Sequence, residues 1–510
     1  MAQKSINHHH KKTAVLLIAP ETGRLPNRMG PLARYISGKS GGLGDVIATL
    51  CEGLTRRGVE CHLATPNLAR RFRQENNLSD DQWEKIIHTI DPEHIHLVNS
   101  ALFDNLADAY AGNPVLSAAE FQKSLVNQII SRVRARYGGR LIIHSHDWMA
   151  GGVITADAKR QGCPVLHTLH NVHTADIPLD LLAGVDTAKL SDYLYRPEWG
   201  KPAIDCQATA IKNASLVNFV GARFLSEIVD DLVPDHSVIP PSVRREVKVK
   251  HEHGLTRTII NAPSLGMYPE HGEHLIRKYG PEDDVIAAKR ENLVEFQKRT
   301  GLNVNPDAIL LYWPSRLDPS QKGIELLEAI ANRFVVVHED VQIAIIGNGV
   351  GNDRTHEERC GQIACSSNGR IAYQRFNEPL SMLGFAAASD VFGASLYEPC
   401  GQIDQIGNLF GATATNRDTG GYHDKIQEIT LECDGAAEDG GNGFLFRDYD
   451  AGGLWYGLSR TVEFHRRPLE TRERQIKRIM KETRTRHDPE RMIDAYIRLY
   501  EELNEGMSLA

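Results

Sequence analysis

Short apolar runs alternate with longer amphipathic stretches along most of this 510-residue chain. An apolar run of about five residues fits a strand buried on both faces, and the amphipathic stretches fit helices that connect parallel strands. The predicted strands lie at residues 14–18, 61–64, 141–143, 165–169, 216–220, 309–313, 343–346 and 391–394. The pattern therefore predicts an α/β protein with parallel sheets.

The alternation is interrupted by a polar span at residues 233–257, which holds three prolines and many basic residues. We expect this span to end the first domain, giving domains at 1–255 and 256–485 and a helical terminus at 486–510. Two parallel sheets with helices on both faces predict a ligand site outside the carboxyl ends of the strands, between the domains.

Composition narrows the class of protein. Lys plus Arg number 58 against 66 Asp plus Glu, a net charge of −8, which argues against a nucleic-acid partner. No run approaches the roughly 18 apolar residues of a membrane span, and the start lacks the apolar core of a signal peptide. The eight cysteines have no C-x-x-C spacing, which indicates a reducing compartment and no structural zinc. We therefore expect a cytoplasmic protein without a membrane or nucleic-acid partner; composition leaves its oligomeric state open.

A glycine-rich turn, K-S-G-G-L-G-D at residues 39–45, precedes the first predicted helix, which we place from Asp45. Free N–H groups and the helix dipole favour anions at such a position. Lys39 adds a positive charge suited to a phosphate or a sugar oxygen. A tight turn without any ligand explains these glycines equally well.

Polar residues follow two successive predicted strands. The sequence H-S-H-D-W at 144–148 comes directly after one strand, and His170-Asn171 after the next. We expect their side chains at the carboxyl edge of the sheet, where ligands bind. A zinc site from H-x-H-D is the alternative, but no cysteine pair or carboxylate cluster accompanies it, and we expect no metal. His8, His9 and His10 fit either a metal-binding tract or a solvated tail.

The sequence R-L-D-P-S-Q-K-G at 316–323 follows a predicted strand in the second half of the chain. Arg316 and Lys322 on one strand-to-helix loop could clamp a diphosphate and neutralise charge on a leaving phosphate. The alternative is a solvated basic loop.

The sequence E-P-C-G at 398–401 follows a later strand, with T-G-G at 419–421 beyond it. A carboxylate at Glu398 can accept sugar hydroxyls, and N–H groups after it can receive phosphate oxygens. Cys400 could serve as a nucleophile, but no histidine follows nearby, which favours a packing role.

Together these motifs resemble the bacterial glycogen synthase and plant starch synthase family, over nearly the whole chain. K-S-G-G-L-G-D stands for the family's K-T-G-G-L-G-D, H-S-H-D-W for H-A-H-D-W, and R-L-D-P-S-Q-K-G for R-L-T-x-Q-K-G. His170-Asn171, Asn261, E-P-C-G and T-G-G also match in order. The resemblance implies a retaining glucosyltransferase of the GT-B fold, with two Rossmann-like doubly wound parallel-sheet domains facing a central cleft. It also implies that the terminal helix returns to the first domain.

The resemblance implies roles for individual residues. Lys39, Gly41 and Gly42 would contact the donor's phosphates and sugar, while Arg316 and Lys322 would hold the diphosphate. Asp147, His170 and Asn261 would bind the transferred sugar. Phe376 would stack on the nucleotide base in place of a family tyrosine. Glu398 would grip sugar hydroxyls. The remaining donor-binding residues would be Cys400, Gly401, Thr419 and Gly420. No metal cofactor is implied.

The departures from the family cluster around the sugar and the acceptor. Residues 24–31 lengthen the link before Lys39, and residues 173–176 replace a tyrosine-glutamine-glycine turn. Gly221-Ala222 replaces serine-proline. Gln402, Ile403 and Asp404 replace Leu-Thr-Gln, which adds a carboxylate beside the expected diphosphate. That charge costs affinity unless it is paired.

The leading hypothesis is therefore a transferase that moves glucose from a nucleotide-glucose, ADP-glucose by resemblance, to an α-1,4-glucan. Because no carboxylate is placed as a nucleophile, we expect the leaving phosphate to take the acceptor's proton. One alternative is a transferase of the same fold with a small sugar or sugar-phosphate acceptor, of the sucrose or trehalose synthase type. Another is a non-catalytic nucleotide-sugar sensor, which retention of Arg316, Lys322 and Glu398 disfavours.

Overall fold

The computed structural model describes residues 13–505, apart from 198, 199, 201, 234, 236, 352 and 432–439. The histidines at 8–10 and Cys433 lie outside the described residues. The chain divides into two compact units. Unit 1 is drawn from Met1–Phe219, Asp235–Ile259 and Ile493–Ala510, and unit 2 from Val220–Pro234 and Ile260–Met492.

Unit 1 is built on a parallel sheet. Its strands are β1 (Ala14–Ile18), β2 (Glu60–Pro66), β3 (Ile95–Val98), β4 (Leu141–His146), β5 (Val165–Leu169), β6 (Asp176–Pro178), β7 (Ala203–Asp205), β8 (Leu216–Phe219) and β9 (Thr256–Thr258). Strands β6 and β7 form a separate antiparallel pair, and the other seven lie in the order β3-β2-β1-β4-β5-β8-β9. The order reverses between β1 and β4, which makes the loops after these strands the expected ligand site of this sheet.

Unit 2 holds a second, six-stranded parallel sheet. Its strands are β10 (Ile309–Trp313), β11 (Val341–Ile346), β12 (Ile371–Gln374), β13 (Asp390–Gly393), β14 (Thr413–Arg417) and β15 (Gly443–Phe446). They lie in the order β12-β11-β10-β13-β14-β15. Here the order reverses between β10 and β13, so the loops after β10 and β13 take the corresponding position.

Helices connect the strands. In chain order they are α1 (Gly42–Arg56), α2 (Ala69–Asn76), α3 (Asp80–Thr89), α4 (Pro114–Ser124), α5 (Ile130–Tyr137), α6 (Val153–Arg160), α7 (Cys206–Asn213), α8 (Ala222–Val229), α9 (Pro241–Glu252), α10 (Val285–Thr300), α11 (Ile324–Val337), α12 (Thr355–Ser366), α13 (Glu378–Ala387), α14 (Ile403–Leu409), α15 (Gly420–Lys425), α16 (Ala451–His465), α17 (Leu469–Arg486) and α18 (Pro489–Glu505). No helix within the described residues is long and apolar enough to cross a lipid bilayer.

Strands β1 and β10 are apolar throughout because both faces of each sheet are covered. In β10, the side chains of Ile309, Leu311 and Trp313 pack in one core, and those of Leu310 and Tyr312 pack in the other. Alternate residues of a strand point to opposite faces, so a strand between two helix layers buries its side chains on both faces, and most of them are apolar. This explains why the largely apolar runs predicted β1, β5 and β10 at their observed bounds.

Two expectations about local structure are corrected. The strand predicted at 141–143 continues through His146, and the helix predicted from Asp45 already begins at Gly42. The polar span at 233–257 folds largely into α9 and β9. A helix signal was present in that span: Pro241 occupies the first turn, where it needs no N–H partner, and Val243 and Val247 are buried one turn apart.

Candidate active-site residues

Helix α1 begins beside a buried carboxylate. Glu21, in the loop after β1, is only 4% exposed. Its carboxylate accepts the backbone N–H groups of Ser40 and, at 2.8 Å, of Gly41. Burial raises the pKa of Glu21, and these two hydrogen bonds oppose that rise. Two of the N–H groups in the predicted anion-binding turn are therefore held by an acidic side chain of the chain itself. Sequence reasoning missed Glu21 because its partners are distant along the chain.

Lys39 lies at the same helix start. Its Nζ is 2.6 Å from Asp45, which stands in the first turn of α1, and its side chain is 32% exposed. Arg71 donates a hydrogen bond to the carbonyl oxygen of Lys39 at 2.8 Å. Gly42 is the first residue of the helix. The turn thus presents a partly exposed cation at the switch point of the unit 1 sheet.

Asp147 joins the loops that follow β4 and β5. Its Oδ1 accepts the backbone N–H groups of His170 at 2.7 Å and Asn171 at 3.1 Å. The backbone of Asp147 has a φ of 57°, a conformation that residues other than glycine rarely adopt and that often marks a functional position. Burial raises the pKa of the Asp147 carboxyl to about 7, although both hydrogen bonds act to lower it.

The two histidines before Asp147 are buried within β4 rather than lying beyond it. His144 places Nδ1 2.8 Å from the Tyr500 hydroxyl of α18, and Nε2 2.8 Å from the Thr168 hydroxyl. His146 places Nδ1 3.0 Å from Nε2 of His170. Both histidines therefore support the fold of unit 1. Within the H-S-H-D-W motif, Asp147 lies beyond the end of β4.

Buried histidines make the fold sensitive to acid. Burial lowers the pKa of His167 to about 4 and the pKa values of His170 and His465 to about 3. Between these values and about pH 6.5 the unfolded chain binds more protons than the folded chain. The free energy of unfolding therefore falls with decreasing pH, by about 1.4 kcal/mol per pH unit for each such ring. Burial raises the pKa values of Asp147 and Asp390 to about 7. These two carboxyls bind more protons in the folded chain, so they increase the free energy of unfolding as the pH falls.

Between pH 7 and pH 5, the stability lost through these three histidines exceeds the stability gained through the two carboxyls. We therefore expect a lower urea midpoint at pH 5 than at pH 7. His465→Gln should flatten this pH dependence, whereas substitution of His88, whose side chain is 78% exposed, should leave it unchanged. An equal or higher midpoint at pH 5 would contradict the prediction.

In unit 2, the loops after β10 and β13 bring Lys322 and Glu398 together. Lys322 Nζ lies 2.5 Å from Glu398 Oε2, with the two side chains 15% and 7% exposed. The Ser395 hydroxyl donates to the same carboxylate oxygen at 2.9 Å. Gly323, at φ 69°, lies against the carbonyl oxygen of Ala394, and an added Cβ would collide with that oxygen. The glycine after Lys322 is thus needed for this close approach of the two loops.

Arg316 lies on the same loop as Lys322 but faces solvent. Its side chain is 54% exposed, and its guanidinium donates to Gln321 at 2.9 Å and lies 3.4 Å from Asp318. Phe376, after β12, is also 54% exposed, and its backbone N–H donates to Asn348 at 3.1 Å. Both residues therefore present their predicted binding groups at an accessible surface of unit 2.

The E-P-C-G and T-G-G segments pack backbone against backbone. Gly421 donates its N–H to the carbonyl oxygen of Glu398 at 2.9 Å. A Cβ at Gly420 would collide with that oxygen, and one at Gly421 with the carbonyl oxygen of Cys400. Burial raises the pKa of the Cys400 thiol to about 11, which supports a packing role rather than a nucleophile. Gly401, at φ 66°, leaves no room for a Cβ either.

Asn261 lies beside this segment. It is 5% exposed, its backbone N–H hydrogen-bonds Cys400, and its carbonyl oxygen accepts a hydrogen bond from Gln405 at 3.0 Å. The predicted site residues therefore fall into two groups. Unit 2 holds Asn261, Lys322, Glu398, Cys400 and Gly401. Unit 1 holds Lys39, Gly41, Asp147 and His170.

A reciprocal pair of caps joins α8 to α15. The N–H of Gly420 and the hydroxyl of Thr419 donate to Glu227 on α8, at 3.0 and 3.2 Å. In return, the N–H of Arg223 at the start of α8 donates to Asp424 on α15 at 3.1 Å. Each helix N-terminus thus meets a carboxylate of the other helix, a favourable arrangement that accounts for the grouping of α8 with unit 2. These donors of Thr419 and Gly420 are engaged within the chain.

The extra carboxylate at Asp404 is paired. Lys425 Nζ lies 2.7 Å from Asp404 Oδ1, with the two side chains 0% and 1% exposed. Lys425 also donates to the carbonyl oxygen of Gly401. The departure from the family sequence therefore carries its own counter-ion, which no local sequence signal revealed.

The chain resembles known enzymes in sequence and fold. Residues 32–233 match the family model described as the starch synthase catalytic domain. The chain is 26% identical over 468 residues to a glycogen synthase of Exiguobacterium sibiricum, covering 84% of this chain and 90% of that protein. The catalytic domain of starch synthase IV from Arabidopsis thaliana, bound to ADP and acarbose, superposes with a TM-score of 0.74 at 18% identity, covering 96% and 99% of the two chains.

Sucrose-phosphate synthase from Thermosynechococcus elongatus has the same fold at a lower TM-score of 0.59 and 15% identity, covering 97% of this chain and 100% of that chain. These neighbours and the two parallel sheets confirm the predicted α/β fold of the GT-B class. The motifs, the sequence matches and the fold agree in their resemblance to the bacterial glycogen synthase and plant starch synthase family.

Proposed function

We propose that this enzyme transfers glucose from ADP-glucose to the non-reducing end of an α-1,4-glucan, with retention of the anomeric configuration. The sequence resembles the starch synthase catalytic domain and curated glycogen synthases, which supports glucosyl transfer of that type. The donor base, the acceptor and the residue roles are the proposal. The Arabidopsis starch synthase structure is bound to ADP, which supports adenine as the donor base.

The observation that carries the proposal is the 2.5 Å contact between Lys322 and Glu398, at the switch point of the unit 2 sheet. An ammonium group held there, with Arg316 on the same loop, can stabilise the negative charge that develops on a leaving diphosphate. Glu398 accepts hydrogen bonds from sugar hydroxyls. The exposed Phe376 ring offers a face on which the nucleotide base can stack.

Asp147 and His170 of unit 1 interact with the transferred sugar in this proposal. The Asp147 carboxylate accepts two backbone N–H groups, and that of Glu398 is paired with Lys322. Both carboxylates are held as hydrogen-bond acceptors, which argues against either as the nucleophile of a covalent intermediate. The acceptor's hydroxyl therefore attacks from the face that the diphosphate leaves, and the leaving phosphate takes its proton.

The proposal requires no metal for transfer, because Lys322, Arg316 and backbone N–H groups supply the positive charge that a divalent ion supplies in other transferases. A cytoplasmic location is also proposed. The cysteines among the described residues are all free thiols, which supports a reducing compartment.

To test the function, the protein is incubated with ADP-, UDP- or GDP-glucose, each with glycogen or with a set of small sugars. We expect nucleoside diphosphate release to be fastest with ADP-glucose, and labelled glucose to enter the glycogen. Release only with a small acceptor would replace the proposal with a sucrose-synthase-type activity. Tight nucleotide binding without release would instead indicate a sensor. A Glu398→Gln variant serves as the inactive control.

A further inference from the structure

A cluster of histidine and glutamate side chains lies at the amino edge of the unit 1 sheet, away from the strand ends that carry Asp147 and His170. Glu60 and His62 are two residues apart on β2 and so face the same side of the sheet. His94 directly precedes β3. Because Leu63 pairs with Ile95 in the parallel register, His94 lies beside His62 on that same face.

The ligand atoms of these three residues converge. His94 Nε2 is 3.1 Å from Glu60 Oε1, and His62 Nε2 is 3.8 Å from the same oxygen. All three residues offer ligand atoms within 4.8 Å of one another. A tetrahedral zinc ion with bonds of about 2.0 to 2.1 Å holds its ligand atoms roughly 3.3 Å apart, so only small side-chain movements are needed to enclose one.

A fourth oxygen lies at the cluster. The hydroxyl of Tyr137, the last residue of α5, is 2.9 Å from both Glu60 Oε1 and His62 Nε2. The side chains of Glu60 and His94 are 25% and 27% exposed, which leaves a path from solvent for an ion or a water molecule.

The surroundings of His62 both support and oppose metal binding. His62 Nδ1 lies 3.1 Å from His96 Nε2, a contact that orients the ring. On the other side, Arg132 lies 3.4 Å from His96 Nδ1. A guanidinium can only donate, so it favours a proton on His96 Nε2 and, in turn, on His62 Nε2, the atom that would bind the metal. Arg132 therefore opposes metal binding by His62. Because Arg132 is exposed, it can be replaced to measure this effect on metal affinity.

We propose that Glu60, His62 and His94 bind a divalent transition-metal ion of the zinc class, with the Tyr137 hydroxyl or a water molecule as fourth ligand. The ion would tie β2 to β3 and to the end of α5, and would stabilise unit 1 without taking part in glucosyl transfer. This site is independent of the proposed function.

The test uses the full chain with His8, His9 and His10 replaced by alanine, so that any zinc bound by these three histidines does not enter the count. The protein is stripped with a chelator, and Zn²⁺ is titrated in competition with a chromogenic chelator. We expect one equivalent to bind and the thermal midpoint to rise with Zn²⁺. Absence of stoichiometric binding in this background would overturn the proposal.

Four further variants localise the binding. Glu60→Gln and His94→Gln should each abolish stoichiometric binding, and retained binding in either would overturn the proposal. Arg132→Gln should tighten binding about 10-fold, since changes around metal ligands shift affinity by about 10- to 100-fold. Because Arg132 is exposed, this variant tests the site even if a ligand variant fails to fold, and unchanged or weaker binding would count against the assignment. His88→Gln is the matched control, from an exposed His–Glu pair 3.3 Å apart on α3, and should bind like the background.

Discussion

Replacing Lys322 by alanine is expected to slow glucosyl transfer by about 100-fold or more. The Lys322 ammonium is largely shielded from water and lies 2.5 Å from Glu398. In such surroundings a charge interacts with a leaving diphosphate far more strongly than it would in bulk water. The measurement is the initial rate of nucleoside diphosphate release with saturating donor and glycogen. A rate equal to that of the unmodified protein would remove Lys322 from the catalytic group.

Loss of Lys322 also leaves Glu398 without its counter-ion, so a slow variant could reflect a disturbed loop. A double-mutant cycle separates the two effects. Lys322→Ala combined with Glu398→Gln restores charge balance, and we expect the thermal midpoint to recover while transfer stays slow. Recovery of transfer in the double variant would mean that the ion pair is only structural. Lys189→Ala, which breaks the exposed pair with Asp186, is the matched control and should change neither quantity.

Replacing Lys425 by methionine is expected to lower the free energy of unfolding by about 3 to 5 kcal/mol. The substitution keeps the volume of the side chain but leaves the Asp404 carboxylate buried without a positive partner. Burial already raises the pKa of Asp404, and Lys425 is the largest influence that opposes this rise. The measurement is the unfolding transition in calorimetry and in guanidinium chloride.

Asp404→Asn in the Lys425→Met background removes the uncompensated charge, and most of the lost stability should return. Lys189→Met, at a pair whose side chains are 73% and 53% exposed, should cost no more than about 1 kcal/mol. If Lys425→Met unfolds like the unmodified protein, the buried pair does not stabilise unit 2. The same variant should weaken donor binding, because an unpaired carboxylate would lie three residues after the E-P-C-G segment.

The strands that could be predicted from the sequence are those whose buried side chains are mostly apolar. β1, β5 and β10 have apolar or small residues at nearly every position and stand where the pattern placed them. β14, with the sequence T-A-T-N-R, gave no apolar signal, because its hydroxyls meet a buried carboxylate instead. The Thr413 and Thr415 hydroxyls donate to Asp390 at 2.6 and 3.0 Å. The buried hydroxyls of β14 are therefore hydrogen-bonded to a residue that is distant in sequence, so no local pattern reveals the strand.

In the candidate site, the positions of some residues could also be predicted from the sequence, whereas their contacts could not. Lys39, Asp147, Lys322 and Glu398 follow strands or precede helices, so their positions at strand ends could be predicted from order along the chain. Nothing local indicated that Glu21 would accept the N–H groups of Ser40 and Gly41. These contacts depend on how the connection between β1 and α1 folds back on itself.

By itself, the sequence determined the class of fold, the order of the motifs and the residues at the strand ends, because each depends on hydrophobic periodicity or on spacing within a few residues. Only the tertiary structure decided the partners: Lys322 with Glu398, Asp404 with Lys425, and Glu227 with the start of α15. The physical reason is that charges and hydrogen-bond donors removed from water must be matched in space. The match is set by the packing of strands and helices far apart along the chain.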